Sequence, residues 1–170
     1  MKIIRQTERL QLRHLTLDDA PFILELVNDP SWIRFIGDRG VYTLGQAEDY
    51  LQNGPITSYA ENGFGLYLVQ RKSDKVRLGM CGLVKRPSLP HVDIGFAFLP
   101  QFTGQGYAFE AATAVLHHAH HDLNLFPIVA ITAPDNQRSI KLLQKLGLHF
   151  QKMISLAEGQ PEVMLFHSAV

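Results

Sequence analysis

Alternating apolar and polar residues mark several strands along the chain. Residues 10–15 largely alternate, with the period of two that is typical of a half-buried strand. Two longer runs, 64–69 and 76–84, are separated by a polar turn at 72–75 and therefore predict an antiparallel hairpin. Further strands are expected at residues 92–99, 126–132, 149–153 and 163–166.

Four other stretches have the period of a helix. Capping signals at Thr16 and Thr43 predict helix starts, although Gly54-Pro55 should interrupt the second helix. Apolar residues, mostly alanines, recur on one face from residue 108 to 119, so a helix at 105–120 can lie close against a sheet. A fourth helix should begin at Asn136 and end at Gly147.

Strand 92–99, helix 105–120 and strand 126–132 form a strand–helix–strand unit. Its two strands should be parallel and joined by a right-handed crossover. Loop 101–106 and the loop that contains Asn136 then emerge at the same edge of the sheet. Ligands of open α/β sheets bind outside the carboxyl ends of the strands. This edge is therefore the predicted ligand site.

Length and composition narrow the class of protein. The 170 residues suffice for one compact domain, expected to span residues 1–170. Sixteen basic residues balance sixteen acidic ones, so charge gives no reason to expect nucleic acid or an anionic membrane as a partner. The single cysteine, Cys81, cannot form an internal disulfide, and the sequence shows neither a signal peptide nor a membrane span. We expect a cytoplasmic monomer or homodimer.

Two glycines stand directly before the alanine-rich helix. Gly104 and Gly106 allow a ligand to approach the backbone, and the first amides of a helix have no internal partners. Together with the helix dipole, these amides suit a phosphate or pyrophosphate. An ordinary strand-to-helix turn that needs two glycines is equally compatible with the pattern. A dinucleotide-binding fingerprint fits poorly, because Phe109 occupies the place of the third glycine.

The motif around these glycines resembles that of a known family. Residues 101–108, Gln-x-x-Gly-x-Gly-x-Ala, are similar to the coenzyme A signature of the GNAT superfamily of N-acetyltransferases. Residues 136–139, Asn-x-x-Ser, and 146–148, Leu-Gly-Leu, resemble its second motif. Residues 7–13 and 33–39 look like the subgroup that acetylates the N-termini of ribosomal proteins. The resemblance covers nearly the whole chain in the family's order.

This resemblance implies a mixed α/β (α+β) fold, with acetyl-CoA as co-substrate and no metal. The sheet should be mostly antiparallel, with six to seven strands, one splayed parallel pair and about four flanking helices. The positions implied to bind the coenzyme are Gln101, Gly104, Gln105, Gly106, Tyr107 and Ala108 at the pyrophosphate, the backbone of Phe96, Phe98 and Leu99 along the pantetheine arm, and Asn136 and Ser139 near the thiol. Lys141 and Lys145 either reach the nucleotide phosphates or form a solvated helix face.

Acetyl transfer to an amine needs an acceptor for the proton that the amine loses. Asp93 lies near where many family members carry a catalytic glutamate, and alternation places it on one face with Gly95 and Ala97. It is otherwise a strand-end carboxylate near His91. Glu158 lies where the ribosomal-protein subgroup has a proposed base, and is otherwise a turn residue.

The chain departs from the family at the position that donates a proton to the coenzyme thiolate in many relatives. Many relatives have a tyrosine seven positions after the asparagine, but that position is Leu143 here. Ser139 is the substitute that the subgroup implies, although a serine there also suits a hydrogen bond at the helix start. Solvent is the remaining source of the proton. Backbone amides near Phe98 could polarise the thioester carbonyl.

Other reactive or bulky side chains have simpler explanations. The histidines at 117, 118, 120 and 121 permit a zinc pair by spacing, but no carboxylate or cysteine completes the set, so we expect a solvated helix end. Cys81 is expected to be a small buried strand residue rather than a nucleophile. The aromatic residues that either line an acceptor pocket or belong to the core are Trp32, Phe35 and Tyr42.

The sequence therefore predicts an N-acetyltransferase. It should move an acetyl group from acetyl-CoA to a primary amine by direct attack in a ternary complex. The acceptor is either a protein N-terminus or a small amine such as an antibiotic or polyamine. A domain that binds acyl-CoA without catalysis is the alternative from another class, because the tyrosine is absent.

Overall fold

Eight strands form one sheet within residues 2–168, the part of the chain that a computed structural model describes. The strands are β1 (Ile3–Gln6), β2 (Leu10–His14), β3 (Leu66–Arg71), β4 (Arg77–Val84), β5 (Asp93–Phe98), β6 (Val129–Thr132), β7 (Leu148–Ile154) and β8 (Val163–Ser168). Their order is β1-β2-β3-β4-β5-β6-β8-β7. Neighbours are antiparallel except β5 and β6, which are parallel. The predicted mixed, mostly antiparallel class is confirmed.

Helices cover both faces of this sheet. Within residues 2–168 the α-helices are α1 (Ala20–Val27), α2 (Pro30–Phe35), α3 (Leu44–Leu51), α4 (Thr57–Asn62), α5 (Tyr107–His117) and α6 (Gln137–Lys145). Tyr67 and Val69 of β3 point to the face of the sheet that packs on α5 and α6. Leu68 points to the opposite face, which packs on α1, α2 and α3. No helix among the described residues is both long enough and apolar enough to cross a membrane.

The sheet has more strands, and its layers more helices, than expected. β1 is the additional strand, and it pairs antiparallel with β2. α2 begins at Pro30, behind a cap formed by the Asp29 side chain. At Gly54-Pro55 the helical chain does not stop, because a π-helical turn over Gln52–Ile56 accommodates the missing proline N–H. The helix then continues as α4 and ends at Gly63, whose φ is +79°.

β5 and β6 separate almost as soon as they pair. Within the described residues, the ladder between them consists of the contact of Asp93 with Val129, where the Val129 N–H donates to the Val92 carbonyl at 3.0 Å. On its other side β5 stays paired with β4 from Asp93 to Phe98. Because the Val92 carbonyl points toward β6, alternation directs the backbone groups of Phe96 and Phe98 into the gap.

A buried ion pair ties β2 and β4 to the turn before α1. Asp19 is fully buried, and its carboxylate accepts hydrogen bonds from both Nη atoms of Arg13, each at 2.9 Å. The Arg77 Nε and the Thr16 backbone N–H also donate to it at 2.9 Å. Burial raises the pKa of Asp19, but these hydrogen bonds outweigh burial and leave the pKa below the ordinary carboxyl value.

Asp19→Asn should therefore lower the free energy of unfolding by about 3–5 kcal/mol at pH 7, because it leaves the buried Arg13 charge without its partner. The folded-state pKa of Asp19 is depressed, so its stabilisation is present above the unfolded pKa of about 3.9 and is lost as the pH falls further. Urea denaturation of both proteins from pH 7 to pH 3 measures this difference.

Asp74→Asn is the matched control, because its carboxylate pairs with Arg71 at the surface. It should leave the urea midpoint nearly unchanged. Equal midpoint shifts for the two variants would contradict a special contribution from the buried pair.

Candidate active site

A cavity of about 720 Å³ opens where β5 and β6 part. Gly104, Gly106 and Ala108 line it where α5 begins, and its lining also includes Trp32 and Asp93. This volume is typical of small-molecule sites, which occupy about 300–1,000 Å³. The edge of the sheet predicted to hold a ligand is thus the edge at which the structure has this cavity.

The backbone at the start of α5 offers a row of hydrogen-bond donors. Gly104 and Gly106 have φ values of +74° and +82°, in the left-handed region that favours glycine. A Cβ on Gly104 would meet nothing within 4 Å. Among residues 2–168, the amides from Gly104 to Phe109 donate to no backbone acceptor, and the helical ladder begins with the Glu110 N–H. These free donors suit an anionic group.

Arg9, which sequence reasoning did not assign to the site, supports this loop. Its Nη1 donates to the Gln105 carbonyl at 3.0 Å, and its guanidinium lies 4.3 Å from the Tyr107 ring centroid. Its Nε donates to the Glu110 carboxylate at 2.8 Å. Gln105 in turn closes the loop by donating from Nε2 to the Gln101 carbonyl at 2.9 Å. Neither glutamine lines the cavity, so both contribute to the shape of the loop.

The end of β5 supplies a further part of the cavity wall. Phe96 and Phe98 both line the cavity. Leu99 does not, and its backbone is already engaged. Its N–H donates to the Leu78 carbonyl at 3.0 Å, and its carbonyl accepts from the Phe102 N–H at 3.0 Å. The Leu99 backbone therefore has no free N–H for the expected contact with the coenzyme, whereas the Phe98 backbone is directed into the gap.

The start of α6 completes this side of the cavity. The Asn136 side-chain oxygen caps the helix by accepting from the Ser139 N–H at 3.2 Å, which leaves the amide nitrogen as a donor. Both residues line the cavity, and Ser139 is buried. Leu143 is fully buried in the core. The position at which many relatives have a tyrosine thus faces the core in this chain.

Two cations on α6 also line the cavity. Arg138 and Lys145 line it, and the Lys145 Nζ lies 4.2 Å from the Phe109 ring centroid. Lys141 is exposed and is absent from the cavity wall. Of the two lysines predicted from sequence, the structure therefore places only Lys145 at the cavity. Arg138 was missed, although it lies two positions after Asn136.

Asp93 stands at the closed end of the gap between β5 and β6. It is almost fully buried and lines the cavity, and its Oδ2 accepts from the Arg86 Nε at 2.9 Å. Its Oδ1 is buried and bonded to no other group of residues 2–168. Burial raises the pKa of Asp93 above the ordinary carboxyl value, and the Arg86 charge and hydrogen bond oppose that effect. Its partner is thus Arg86 rather than the expected neighbour His91.

The rival carboxylate lies elsewhere. Glu158 is exposed in the turn between β7 and β8 and does not line the cavity, whereas Leu156 of the same turn does. Among the aromatic candidates, Trp32 is buried and lines the cavity, and Phe35 lines it as well. Tyr42 is largely exposed outside it.

The remaining candidates belong to the core or to the end of α5. His118 Nδ1 lies 2.7 Å from the Asp122 carboxylate, and the rings of His117 and His121 are 4.2 Å apart. Within residues 2–168, no three histidine, cysteine or acidic side chains are grouped so that they could hold a metal ion. Cys81 is fully buried, and burial raises the pKa of its thiol, as expected for an unreactive core residue.

Known proteins share both the sequence pattern and the fold. The family model of the acetyltransferase (GNAT) domain matches residues 9–149. An uncharacterized N-acetyltransferase, p20 of Bacillus licheniformis, is 30% identical over 148 residues, covering 86% of this chain and 81% of its own. An acetyltransferase of Agrobacterium tumefaciens shares the fold with a TM-score of 0.83 at 24% identity, covering 100% of this chain and 95% of its own.

A structure of RimL, a ribosomal L7/L12 alpha-N-protein acetyltransferase in complex with coenzyme A, also shares the fold. Its TM-score is 0.84 at 18% identity, and the match covers 99% of this chain and 98% of that one. The chain belongs to the GNAT acetyltransferase family. It is accordingly an acyltransferase that depends on acetyl-CoA.

Arg86→Met should raise the pKa of Asp93 further, because it removes the charge and the hydrogen bond that favour the ionised carboxylate. A carbon-detected NMR titration of the Asp93 carboxyl measures the shift directly. Arg34→Met is the control, since Arg34 pairs with the exposed Asp135. An Asp93 pKa that is unchanged in Arg86→Met, or that moves equally in both variants, would contradict this electrostatic account.

Proposed function

We propose that this chain is an N-acetyltransferase that moves the acetyl group of acetyl-CoA to a primary amine by direct attack in a ternary complex. We further propose that residues 1–170 act as a single domain. The observation that supports both is that one cavity is lined by the free amides of the loop before α5, by the unpaired side of β5 and by the buried Asp93.

The residues present fit coenzyme A. In the proposal, the amides from Gly104 to Ala108 hold the pyrophosphate, helped by the dipole of α5. Arg138 and Lys145 provide positive charge for the nucleotide phosphates. The backbone of Phe96 and Phe98 pairs with the amides of the pantetheine arm in the gap beside β5, as an added strand would. Asn136 and Ser139 approach the thiol end.

Asp93 is the proposed general base. The amine nitrogen forms a bond to the thioester carbonyl carbon, the bond from that carbon to sulfur breaks, and the amine loses a proton. Asp93 accepts that proton directly or through water. Its raised pKa suits the task, because a base works best when its pKa lies nearer the working pH than that of an ordinary carboxylate. Backbone amides near Phe98 would stabilise the charge that develops on the carbonyl oxygen.

Ser139 or solvent is the proposed source of the proton that the thiolate takes up. Ser139 is buried and lines the cavity, whereas Leu143, in place of the usual tyrosine, lies in the core. Glu158 remains the other candidate base, and its exposed turn lies outside the cavity. The geometry therefore favours Asp93 for proton removal.

The loop before α5 can be tested with one added methyl group. Gly104→Ala should raise the dissociation constant of CoA about tenfold or more, which corresponds to about 1.4 kcal/mol. Its Cβ would project into the open space that the phosphates need, at a φ of +74°. Isothermal titration calorimetry with CoA measures the change.

Gly159→Ala is the matched control. It has nearly the same φ, +80°, and equally open surroundings, and it lies outside the cavity. It should therefore bear the same backbone strain and bind CoA like the parent protein. Equal CoA affinities in the two variants would refute the assignment of this loop.

Asp93→Asn should lower kcat/KM for acetyl transfer by about 10²–10⁴-fold near neutral pH. The loss should shrink at higher pH, where hydroxide in solvent can accept the proton that the amine loses. Thiol release from acetyl-CoA, measured with a panel of peptides and small amines, gives the rates. Calorimetry should show unchanged CoA affinity, since asparagine still accepts a hydrogen bond from Arg86.

Glu158→Gln is the comparison and should change the same rate by less than about twofold. A large effect of Glu158→Gln with none of Asp93→Asn would transfer the role of base to Glu158. Tight CoA binding without thiol release for any amine would instead favour a binding domain without catalysis.

A further inference from the structure

The end of the cavity away from the loop before α5 is rich in hydrogen-bond donors. Trp32, Arg39, Tyr50 and Arg86 all line the cavity, and we call these four residues the donor cluster. Arg86 bonds to Asp93, and the charges of Arg39 and Arg86 both act on Tyr50, so these three lie at the Asp93 end. Arg39 and Tyr50 also line a neighbouring cavity of about 660 Å³ under α3 and α4.

Most donors of this cluster have no protein acceptor. The Trp32 Nε1 is buried, and no group of residues 2–168 bonds to it. Arg39 forms neither a hydrogen bond nor an ion pair with another described residue, and Arg86 uses only its Nε. A buried donor without a partner costs about 1–3 kcal/mol, so a ligand acceptor would gain from bonding to the Trp32 Nε1. Arg39 is exposed and Arg86 is half-buried, so a ligand can reach their remaining donors.

The carboxylates that line the cavity already have partners, whereas Arg39 has none among the described residues. The acidic residues that line the cavity are Asp29 and Asp93. Asp29 is engaged as the cap of α2, where it accepts from the Ser31 N–H at 3.0 Å, and Asp93 is paired with Arg86. Arg39 forms no ion pair with another described residue, although Asp49 and Glu61 line the neighbouring cavity with it. Burial raises the pKa of Tyr50, while the charges of Arg39 and Arg86 act on it in the opposite direction. Tyr50 thus stays a neutral hydroxyl close to both guanidinium groups.

We propose that the acceptor amine bears a carboxylate, which Arg39 and Arg86 bind while Trp32 and Tyr50 donate further hydrogen bonds. This inference rests on the proposed acetyl transfer and names the chemical class of its acceptor. Arginine suits the role because its planar fork matches a carboxylate with two parallel hydrogen bonds.

The pair of Arg86 and Asp93 sets the distance between the amine and the carboxylate of the acceptor. The Arg86 Nε lies 2.9 Å from the Asp93 carboxylate. A ligand carboxylate on the remaining Arg86 donors would therefore place an amine only a few bonds away beside Asp93. This arrangement matches the amine and carboxylate of an amino acid, or those of a peptide whose first residue is acidic. A polyamine offers only cations and would supply no acceptor for Arg39 and Arg86.

Calorimetric titrations of the CoA-bound protein test the proposal with matched ligands. Glycine is compared with glycinamide, and a peptide amide that begins with aspartate is compared with its asparagine counterpart. In at least one pair, the ligand with the carboxylate should bind about tenfold or more tightly than its amide counterpart. A difference between glycine and glycinamide would identify an amino acid as the source of the carboxylate, and a difference between the two peptides would identify an acidic first residue. No discrimination in either pair, or tighter binding of spermidine than of all four ligands, would overturn the proposal.

Substitutions of Arg39 test whether this residue causes the preference for the carboxylate ligand. In Arg39→Gln, the carboxylate ligand and its amide counterpart should bind with nearly equal affinity. Arg39→Lys should recover part of the difference between them. Arg34→Gln, which alters an exposed cation outside the cavity, should leave the ratio of the two affinities as in the parent protein. Because Arg39 has no bonding partner among the described residues, its replacement should not disturb folding. A ratio that is unchanged in Arg39→Gln would contradict the site.

Thiol release with the same ligands separates this proposal from the one on which it rests. Preferential carboxylate binding without thiol release would support the donor cluster and sink the proposed acetyl transfer. Rapid acetylation of amines regardless of carboxylate would support acetyl transfer and sink the donor cluster.

Discussion

The separation of β5 from β6 is the constraint on which the rest of the site depends. A sheet normally pairs every backbone group of an interior strand, and a buried group without a partner costs about 1–3 kcal/mol. Here β5 keeps β4 on one side and loses β6 after the contact of Asp93 with Val129. The gap gives the cavity its depth and leaves Phe96 and Phe98 with backbone groups for a ligand. A bound chain with amides of its own would complete the sheet.

The two ends of the gap differ in their electrostatics. The open end meets the amides before α5 and the cations Arg138 and Lys145, all of which favour phosphates. The closed end has a buried carboxylate, Asp93, whose affinity for a proton reflects a balance between burial and the neighbouring Arg86. In the proposed function, one cavity thus combines an anion site with a proton acceptor. This separation of charge is what a transfer reaction between an anionic donor and an amine requires.

Much of this arrangement was predictable because it depends on local sequence. The alanine stripe and the two glycines define the strand–helix–strand unit, and alternation along β5 places Asp93 on the face of Ala97. β1 and α2 escaped prediction because four and six residues are too few to establish a period. The helix at Gly54-Pro55 continues because a π-helical turn absorbs the proline, which no local pattern indicates.

The residues that sequence reasoning missed act across long separations in the chain. Arg9 supports the loop before α5 through Glu110, 101 positions away. Arg86 and Arg39 follow elements whose mutual placement only the folded chain reveals. Arg86 belongs to no motif, and Arg39 ends the segment 33–39, which resembles the subgroup but gave no role to Arg39. Conversely, Glu158 resembled a catalytic position in sequence but lies in an exposed turn outside the cavity. Motifs predicted the proposed coenzyme side of the cavity, whereas the proposed amine side depends on tertiary structure.

The central claim is that the gap between β5 and β6, with the loop before α5, holds coenzyme A. Amide chemical-shift changes on titration of the isotope-labelled protein with CoA test it most directly. The largest changes should fall on the amides from Gly104 to Ala108, on Phe96 and Phe98, and on Asn136. Largest changes at residues that line only the neighbouring cavity, such as Glu61 and Lys85, with the amides of the loop unmoved, would contradict it.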